Sequence, residues 1–514
     1  MTACESLPPH YGETARAPWP RLGYTRPMLR RQFLSAVSSA AVSSSALATA
    51  LHTLAPSAAA AIDPGSRQAT GLKIGEVSPT TAIAWMRLTE RAGRQSDGER
   101  RRGRPQPFAA NRSTRELEGS TPGAPGKLRL RYSTKENLSG ARDTGWTTVS
   151  ADRDFSHQFS LGGLRPDTEY FYSAESASPG GKLHAPIQGR FRTALPPNSA
   201  SGFRFCMTTC QKYSELDHAD GFHIYNSMAA LDPRFYISAG DIVYYDSDDP
   251  RATSTDIARY HWDRMFSFPR HRDMLLHVPG YYLKDDHDTM TDDVWRERPL
   301  GPEYRFNFDD GLRIFRQQVP MGPSTYRSFR WGRTLQVWFV EGRDYRSPSN
   351  MPDGPEKSIW GVQQKQWLMK SMAESTADWR VLVSPTPIVG PDRPNKADNH
   401  SNKVFAWEGR QFREWAKTTL GDNFVNINGD RHWQYHSVHP ETGTNEFSVG
   451  AASDSHASGS PGEDKNYHRF HRVKGGFLEV ETERKGKEAL LHFRLRDVMG
   501  AQTYAHTFSR AVKG

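Results

Sequence analysis

The chain has 514 residues, 36% hydrophobic and 24% charged, with 42 Gly, 34 Pro, 13 Trp and only 3 Cys. At ~100–200 residues per domain this length predicts two to four domains with real cores; the aromatic content excludes a disordered chain, and three cysteines exclude a disulfide-stapled mini-domain. The formal charge of +9 is uneven: residues 1–62 carry +3, residues 91–127 carry +5, and the remainder is nearly neutral at +1, which excludes a basic nucleic-acid groove on the folded elements.

The first predicted element is an export signal. Arg30-Arg31-Gln32-Phe33-Leu34 precedes an apolar, small-residue stretch from Ala36 to Leu54 and then Ala58-Ala59-Ala60-Ala61. These are the charged, apolar and cleavage regions of a signal peptide. The Arg pair followed by Gln-Phe-Leu resembles the twin-arginine motif, whose machinery exports folded proteins. Met28 stands directly before Leu29 and the pair, so translation is expected to begin there and the mature chain near Ala59 to Ile62. Cleavage removes Cys4 and leaves Cys206 and Cys210. Four residues apart on a predicted strand, these two are separated by ~13 Å, too far for a disulfide. Beyond residue 62 no apolar run approaches the ~18 residues of a membrane span, so no transmembrane anchor is expected.

Residues 62–198 read as a β domain. Leu72 to Pro79, Thr81 to Leu88, Leu128 to Tyr132 and His157 to Leu161 alternate with period two. Leu164-Arg-Pro-Asp-Thr-Glu-Tyr170 resembles the fibronectin type III corner, in which a Tyr hydroxyl ties a turn. Between these strands, residues 91–127 are rich in Arg, Gly, Pro and Ser and are predicted to be a disordered insertion.

From residue 199 to 514 apolar strands alternate with helical stretches, which predicts an α/β layered domain. Strands are expected at Phe203 to Met207, Arg234 to Ser238, Val278 to Leu283, Thr334 to Val340, Trp379 to Val383 and Phe424 to Asn428. Helices are expected at Thr255 to Arg264 and Gly361 to Glu374, and a β-rich stretch at Gly476 to Thr507.

Ligands in such domains gather beyond the carboxyl ends of the strands, and here those ends are polar. They read Thr208-Thr209-Cys210-Gln211, Gly240-Asp241-Ile242-Val243-Tyr244, Lys284-Asp285-Asp286-His287-Asp288 and Gly429-Asp430-Arg431-His432-Trp433. Each alone is weak: Gly-Asp is a common strand end, and Asp-Asp-His is more often a capped turn. Four in succession offer a thiolate, a phenol, several carboxylates and an imidazole. That set can hold two ions, one with mixed S/O/N ligands and one mostly with oxygen. Tyr245 is read as facing away from this set and Cys206 as a buried strand residue. His436, His439, His456, His468 and His471 are read as mostly surface or loop residues without a third metal, and Asp454 and Asp464 as turn residues.

On these motifs the chain resembles the alkaline phosphatase D (PhoD-like) family, relatives of purple acid phosphatases among the calcineurin-like metallophosphoesterases. The resemblance covers nearly the whole chain after the signal. It implies a fibronectin type III-like β-sandwich followed by a metallophosphoesterase domain, a β-sheet sandwich flanked by helices. It further implies a ferric ion on Cys210, Asp241, Tyr244 and His432, with Asp241 bridging to a second ion, Ca²⁺ by family precedent. Asp430 with Asp285 or Asp286 would complete that second site, and Asp292 would add an oxygen. His287 is expected to contact the phosphate or leaving group. Arg343, in Glu341-Gly-Arg343-Asp-Tyr-Arg346, is expected either to grip a phosphate or to sit in a structural ion pair. The implied protein is an exported monomer that hydrolyses phosphomonoesters or phosphodiesters through a metal-activated hydroxide, without specific nucleic-acid binding. The rival readings are a phospholipase-D-like diesterase with little monoesterase activity and a non-catalytic cell-surface binding protein.

Overall fold

The computed structural model describes residues 64–512, so the expected signal segment, including Met28, Arg30 and Arg31, lies outside the described residues. Two large mixed sheets face each other. The first has nine strands, in the order 502–511, 488–496, 477–485, 203–208, 236–239, 280–283, 72–75, 82–87 and 156–161. The second has seven, in the order 327–331, 335–339, 379–384, 424–428, 445–449, 434–438 and 468–472. Phe205, Met207, Ile237 and Leu283 from one sheet and Val337, Val381, Ile427 and Phe447 from the other form the shared core.

Helices cover both outer faces. Thr255–Phe266, Pro269–Leu275 and Phe308–Gln318 contribute Trp262, Phe266, Met274 and Phe315 to a core against the outer face of the nine-stranded sheet. Gly361–Ala373 and Ala406–Thr419 contribute Leu368, Met372 and Phe412 to the corresponding core on the seven-stranded sheet. This is the sheet sandwich flanked by helices expected from the sequence. Central strands are apolar on both sides because both faces are covered; Trp379–Ser384 is buried at every position.

The expected boundary near residue 198 is not a sheet boundary. Strands 72–75, 82–87 and 156–161 pair into the nine-stranded sheet, joined where Gly75 lies beside Gly280 in parallel register. A Cβ on Gly75 would stand 2.8 Å from the Gly280 carbonyl oxygen and 2.6 Å from Pro320 Cγ, so the junction needs glycine. The same three strands pack their apolar residues on a separate five-stranded sheet through Leu72, Ala84, Leu130, Phe159, Tyr172 and Phe191.

The Arg-rich segment corrects the expectation of disorder. Its Phe108 and Leu117 are buried in the helical core. Arg101 donates to both oxygens of Asp249 at 3.0 and 2.9 Å, and Arg94 donates to Glu118 at 3.0 Å while its guanidinium lies 3.8 Å above the Phe268 ring. Composition concealed this because two apolar anchors and a few matched carboxylates suffice to fix a loop that otherwise reads as solvated. Among the described residues no helix is long and apolar enough to cross a membrane.

Candidate metal centre

The parallel strands Phe203–Thr208, Tyr236–Ala239 and Gly280–Leu283 finish level with one another: Thr208 lies beside Ser238, and Ala239 beside Leu283. Strand Phe424–Asn428 of the facing sheet ends at the same place with Asn428-Gly429-Asp430. Just past these ends the backbone turns left-handed at Cys210 (φ 52°), Asp241 (φ 54°) and Asp430 (φ 61°). Non-glycine residues avoid this region, and where it occurs it is concentrated at functional sites. Gly240 precedes Asp241 with φ 94°, and a Cβ there would lie 2.7 Å from the Cβ of Asp285. The turns are tied together, with Cys210 N donating to Gly240 O at 3.3 Å and Gln211 N to Asp241 O at 3.0 Å.

These turns bring the side chains to one point. Cys210, Asp241 and His432 place a ligand atom each within 4.8 Å of one another, as do Asp241, Asp285 and Asp430, and Asp241, Asp286 and His287. Asp241 belongs to all three groups. The Cys210 thiol lies 3.4 Å and the Tyr244 hydroxyl 3.3 Å from the same Asp241 oxygen. The other Asp241 oxygen and one oxygen of Asp285 are buried with no hydrogen-bond partner. A buried carboxylate oxygen left unpaired is costly, and a cation removes that cost. The residues present therefore fit a metal centre: sulfur, phenol, imidazole and carboxylate on one side, and carboxylates on the other.

The electrostatics agree. Burial, reinforced by Asp241, pushes the Cys210 thiol and the Tyr244 phenol far up, so both are protonated without a cation. Burial also raises Asp241, outweighing the neighbouring His287. Burial lowers His432, helped by His456, and keeps its imidazole neutral and able to ligate. For His287 burial acts downward, but Asp246, Asp286 and Asp241 prevail and hold it protonated. Its Nδ1 is 2.7 Å from Asp246, and its ring is 4.4 Å from that of Tyr244.

Several placements bear on the sequence expectations. Arg343 is fully buried, with Nε 2.5 Å from Asp285, one terminal nitrogen 2.9 Å from Asp398 and 3.7 Å from Asp286. Of the two roles expected for it, the structure shows the ion pair, with Nε and one terminal nitrogen engaged by carboxylates and the other terminal nitrogen left without a partner. Asp292 lies outside the Asp241–Asp285–Asp430 group but within 4.8 Å of an Asp286 oxygen; its side chain is 59% exposed and 3.2 Å from Lys396. His456 is no surface residue: it is buried, its ring centre lies 4.0 Å from that of His432 with the planes tilted by 45°, and its Nδ1 donates to the Cys210 carbonyl at 3.0 Å. His436 and His468 are likewise buried.

Other supporting residues were missed. Asp288, the last residue of Asp285-Asp-His-Asp, accepts from the amides of Ile242 (3.1 Å) and Asp285 (2.6 Å), joining two of the turns. Arg431, inside Gly-Asp-Arg-His, contacts Asp430 and pairs with Asp392 at 2.8 Å. These two sit within the motifs and were legible by position. Asp246, Asp392, Lys396, Asp398 and His456 carry no local signal.

Comparisons with known proteins bear on the family and the fold. The family model described as PhoD-like phosphatase matches residues 205–487, and that of the PhoD-like phosphatase N-terminal domain matches residues 55–195. Alkaline phosphatase D from Bacillus subtilis (strain 168) is 26% identical over 182 residues, and the chain spans 30% of that curated relative's length. A solved structure of PhoD superposes with a TM-score of 0.66 at 14% identity, covering 87% of this chain and 91% of that one. Purple acid phosphatase PPD1 from yellow lupin superposes with a TM-score of 0.58 at 13% identity, covering 86% of this chain and 74% of that one. With both domain families matched in order and the catalytic match spanning more than half its length, the chain belongs to the PhoD-like phosphatases.

Proposed function

We propose that the protein is a metal-dependent phosphoesterase acting on phosphomonoesters, phosphodiesters or both. The observation that carries this reading is the convergence on Asp241 of Cys210, Tyr244, His432, Asp285, Asp286 and Asp430, with buried carboxylate oxygens that lack partners. Cys210, Asp241, Tyr244 and His432 would hold a ferric ion, and Asp241, Asp430 and Asp285 or Asp286 would hold Ca²⁺ or a similar hard cation. Two such cations, when bound, supply Lewis acidity and lower the pKa of a water to make a hydroxide nucleophile. The protein's own part is positional. Asp246 holds protonated His287 by Nδ1, which leaves Nε2 to give a proton to the departing alkoxide oxygen. Arg343 and Asp288 keep Asp285 in place from behind.

The Arg30-Arg31 segment is read as a twin-arginine export signal, supported by its sequence pattern alone, which assigns the protein to the periplasm or cell exterior. The N-terminal sandwich is read as fibronectin type III-like. This is supported by the Tyr170 hydroxyl, which accepts from the Arg165 amide at 2.9 Å across the turn.

The test is Asp241→Asn in the full-length protein, with metal content and hydrolysis of 4-nitrophenyl phosphate and bis(4-nitrophenyl) phosphate measured in parallel. Wild type is expected to contain iron and calcium and to hydrolyse at least one ester. The variant should lose both metals and far more than about tenfold in rate, because both ions share this carboxylate. A variant within tenfold of wild type on its best substrate refutes the assignment.

A further inference from the structure

A second group of carboxylates stands beside the centre built on Asp241. Asp286, Asp292 and Asp293 bring one oxygen each within 4.8 Å of one another. An acidic cluster by itself identifies nothing; here a side chain already occupies it. The Lys396 ammonium lies 2.6 Å from an Asp293 oxygen and 3.2 Å from an Asp292 oxygen, and the lysine side chain is only 12% exposed.

The segment carrying this lysine is built into place. Asn402 donates its side-chain amide to the carbonyls of Arg393 at 2.7 Å and Lys396 at 2.9 Å, closing the loop on itself. Arg346 donates to the Ala397 carbonyl and the Asp293 carbonyl, both at 2.8 Å, so one guanidinium clamps the backbone on both sides of the ion pair. From the other side, the Asp293 amide donates to Asp286 at 2.6 Å. Asp286 therefore belongs at once to the Asp241 centre and to the lysine-filled cluster.

We propose that Lys396 is a tethered cation occupying the position that a divalent ion would otherwise take among Asp286, Asp292 and Asp293, and so fixes how many metals the protein binds. An ammonium presents three donors and a compact positive charge to surrounding oxygens. A hard divalent ion seeks the same oxygens, completing its shell with water. The two cannot share the position, since Nζ stands at hydrogen-bonding distance from oxygens of two of the three would-be ligands, Asp292 and Asp293. The proposal goes beyond the phosphoesterase reading and does not depend on which ions sit on Asp241.

The experiment compares full-length wild type with Lys396→Met, which keeps the stem and removes the charge. Each is equilibrated with CaCl₂, dialysed and analysed for calcium per chain, and its thermal unfolding is followed with and without calcium. Lys396→Met is expected to bind one more calcium than wild type, with a larger calcium-dependent rise in Tm. Adding Asp293→Asn to that variant should remove the extra ion. Equal calcium counts in wild type and Lys396→Met overturn the proposal. If Lys396→Met does not fold, Lys396→Gln, which also removes the charge, takes its place: one more calcium than wild type sustains the assignment, and an equal count overturns it. Loss of the phosphoesterase reading would register differently, as absence of metal dependent on Asp241 in wild type itself.

Discussion

Arg343→Met isolates the electrostatic frame of the site. The wild-type guanidinium is wholly buried and faces three carboxylates: Asp285 at 2.5 Å, Asp398 at 2.9 Å and Asp286 at 3.7 Å. Removing one partner from a buried charge group leaves uncompensated charge and typically costs ~3–5 kcal/mol. The metal-free protein is the right sample, because bound cations would mask part of that loss. Burial raises Asp286 and Asp398, yet Arg343 and neighbouring cations, Lys396 among them, prevail and hold both below the ordinary carboxylate range. A carboxylate depressed in the folded state contributes stability above its unfolded pKa of ~3.9, and that contribution is lost as pH falls through the folded value. The variant gives up much of this contribution, so the stability gap should be wide at neutral pH and should narrow in acid as the carboxylates take up protons. Urea unfolding of both proteins at pH 7.5 and at about pH 2, well below the unfolded value and approaching the folded one, after chelation and dialysis, measures the gap. A gap below ~1 kcal/mol at pH 7.5, the worth of an exposed pair, or one that does not narrow in acid, would show that Arg343 does not carry the charge of this site.

Two further substitutions probe the side chains that meet at Asp241. If the proposed ferric ion sits on Tyr244, Tyr244→Phe should abolish the visible phenolate-to-iron band that ion would give and release one proton fewer on metal uptake, since burial keeps the free phenol protonated; an unchanged spectrum removes Tyr244 from the coordination sphere. His456→Ala removes the bond to the Cys210 carbonyl and the packing on His432, and supporting residues of this kind typically contribute ~10–100-fold in metal affinity. Competition with a chromogenic chelator reads that loss, and affinity within about twofold of wild type would reduce His456 to filler.

What the sequence disclosed is what short-range pattern encodes. Strand Phe424–Asn428 and helix Thr255–Phe266 follow from apolar runs and helical spacing, and the polar strand ends follow because each motif is contiguous. Residues that support the motifs from elsewhere left no trace. Lys396 and Asp398 lie on a loop of Pro, Asn and Asp that reads as solvent-facing, yet Asp398 pairs with Arg343 across 55 positions. His456 reaches Cys210 across 246 positions. Helix Phe308–Gln318 passed unnoticed although Asn307 and Asp310 form a capping box, because Asn-x-x-Asp is a weaker signature than Ser-x-x-Glu. Buried charge is nearly invisible in sequence because it depends on which opposite charge the fold brings alongside.

The left-handed turns at Cys210, Asp241 and Asp430 explain why the motifs have the form they do. A residue continuing each strand would point its side chain along the sheet normal, into a core already filled by Met207, Ile237 and Ile427. Reversing φ directly beyond the strand swings the side chain across the sheet end, and doing so at three sites, two in Gly-Asp pairs, aims three donors at one point. Each reversal costs ~1–2 kcal/mol relative to right-handed backbone. Bonds that exist only at the turns oppose that cost: Ala452 N and His456 Nδ1 both donate to the Cys210 carbonyl, and Gln211 N donates to that of Asp241. Asp288 then holds the amides of Ile242 and Asp285 in the same relation. The chain thus accepts backbone strain and gathered carboxylates at one place, and positive charge at the centre of that arrangement offsets the cost. That is the physical sense in which the fold specifies a cation before any cation is bound.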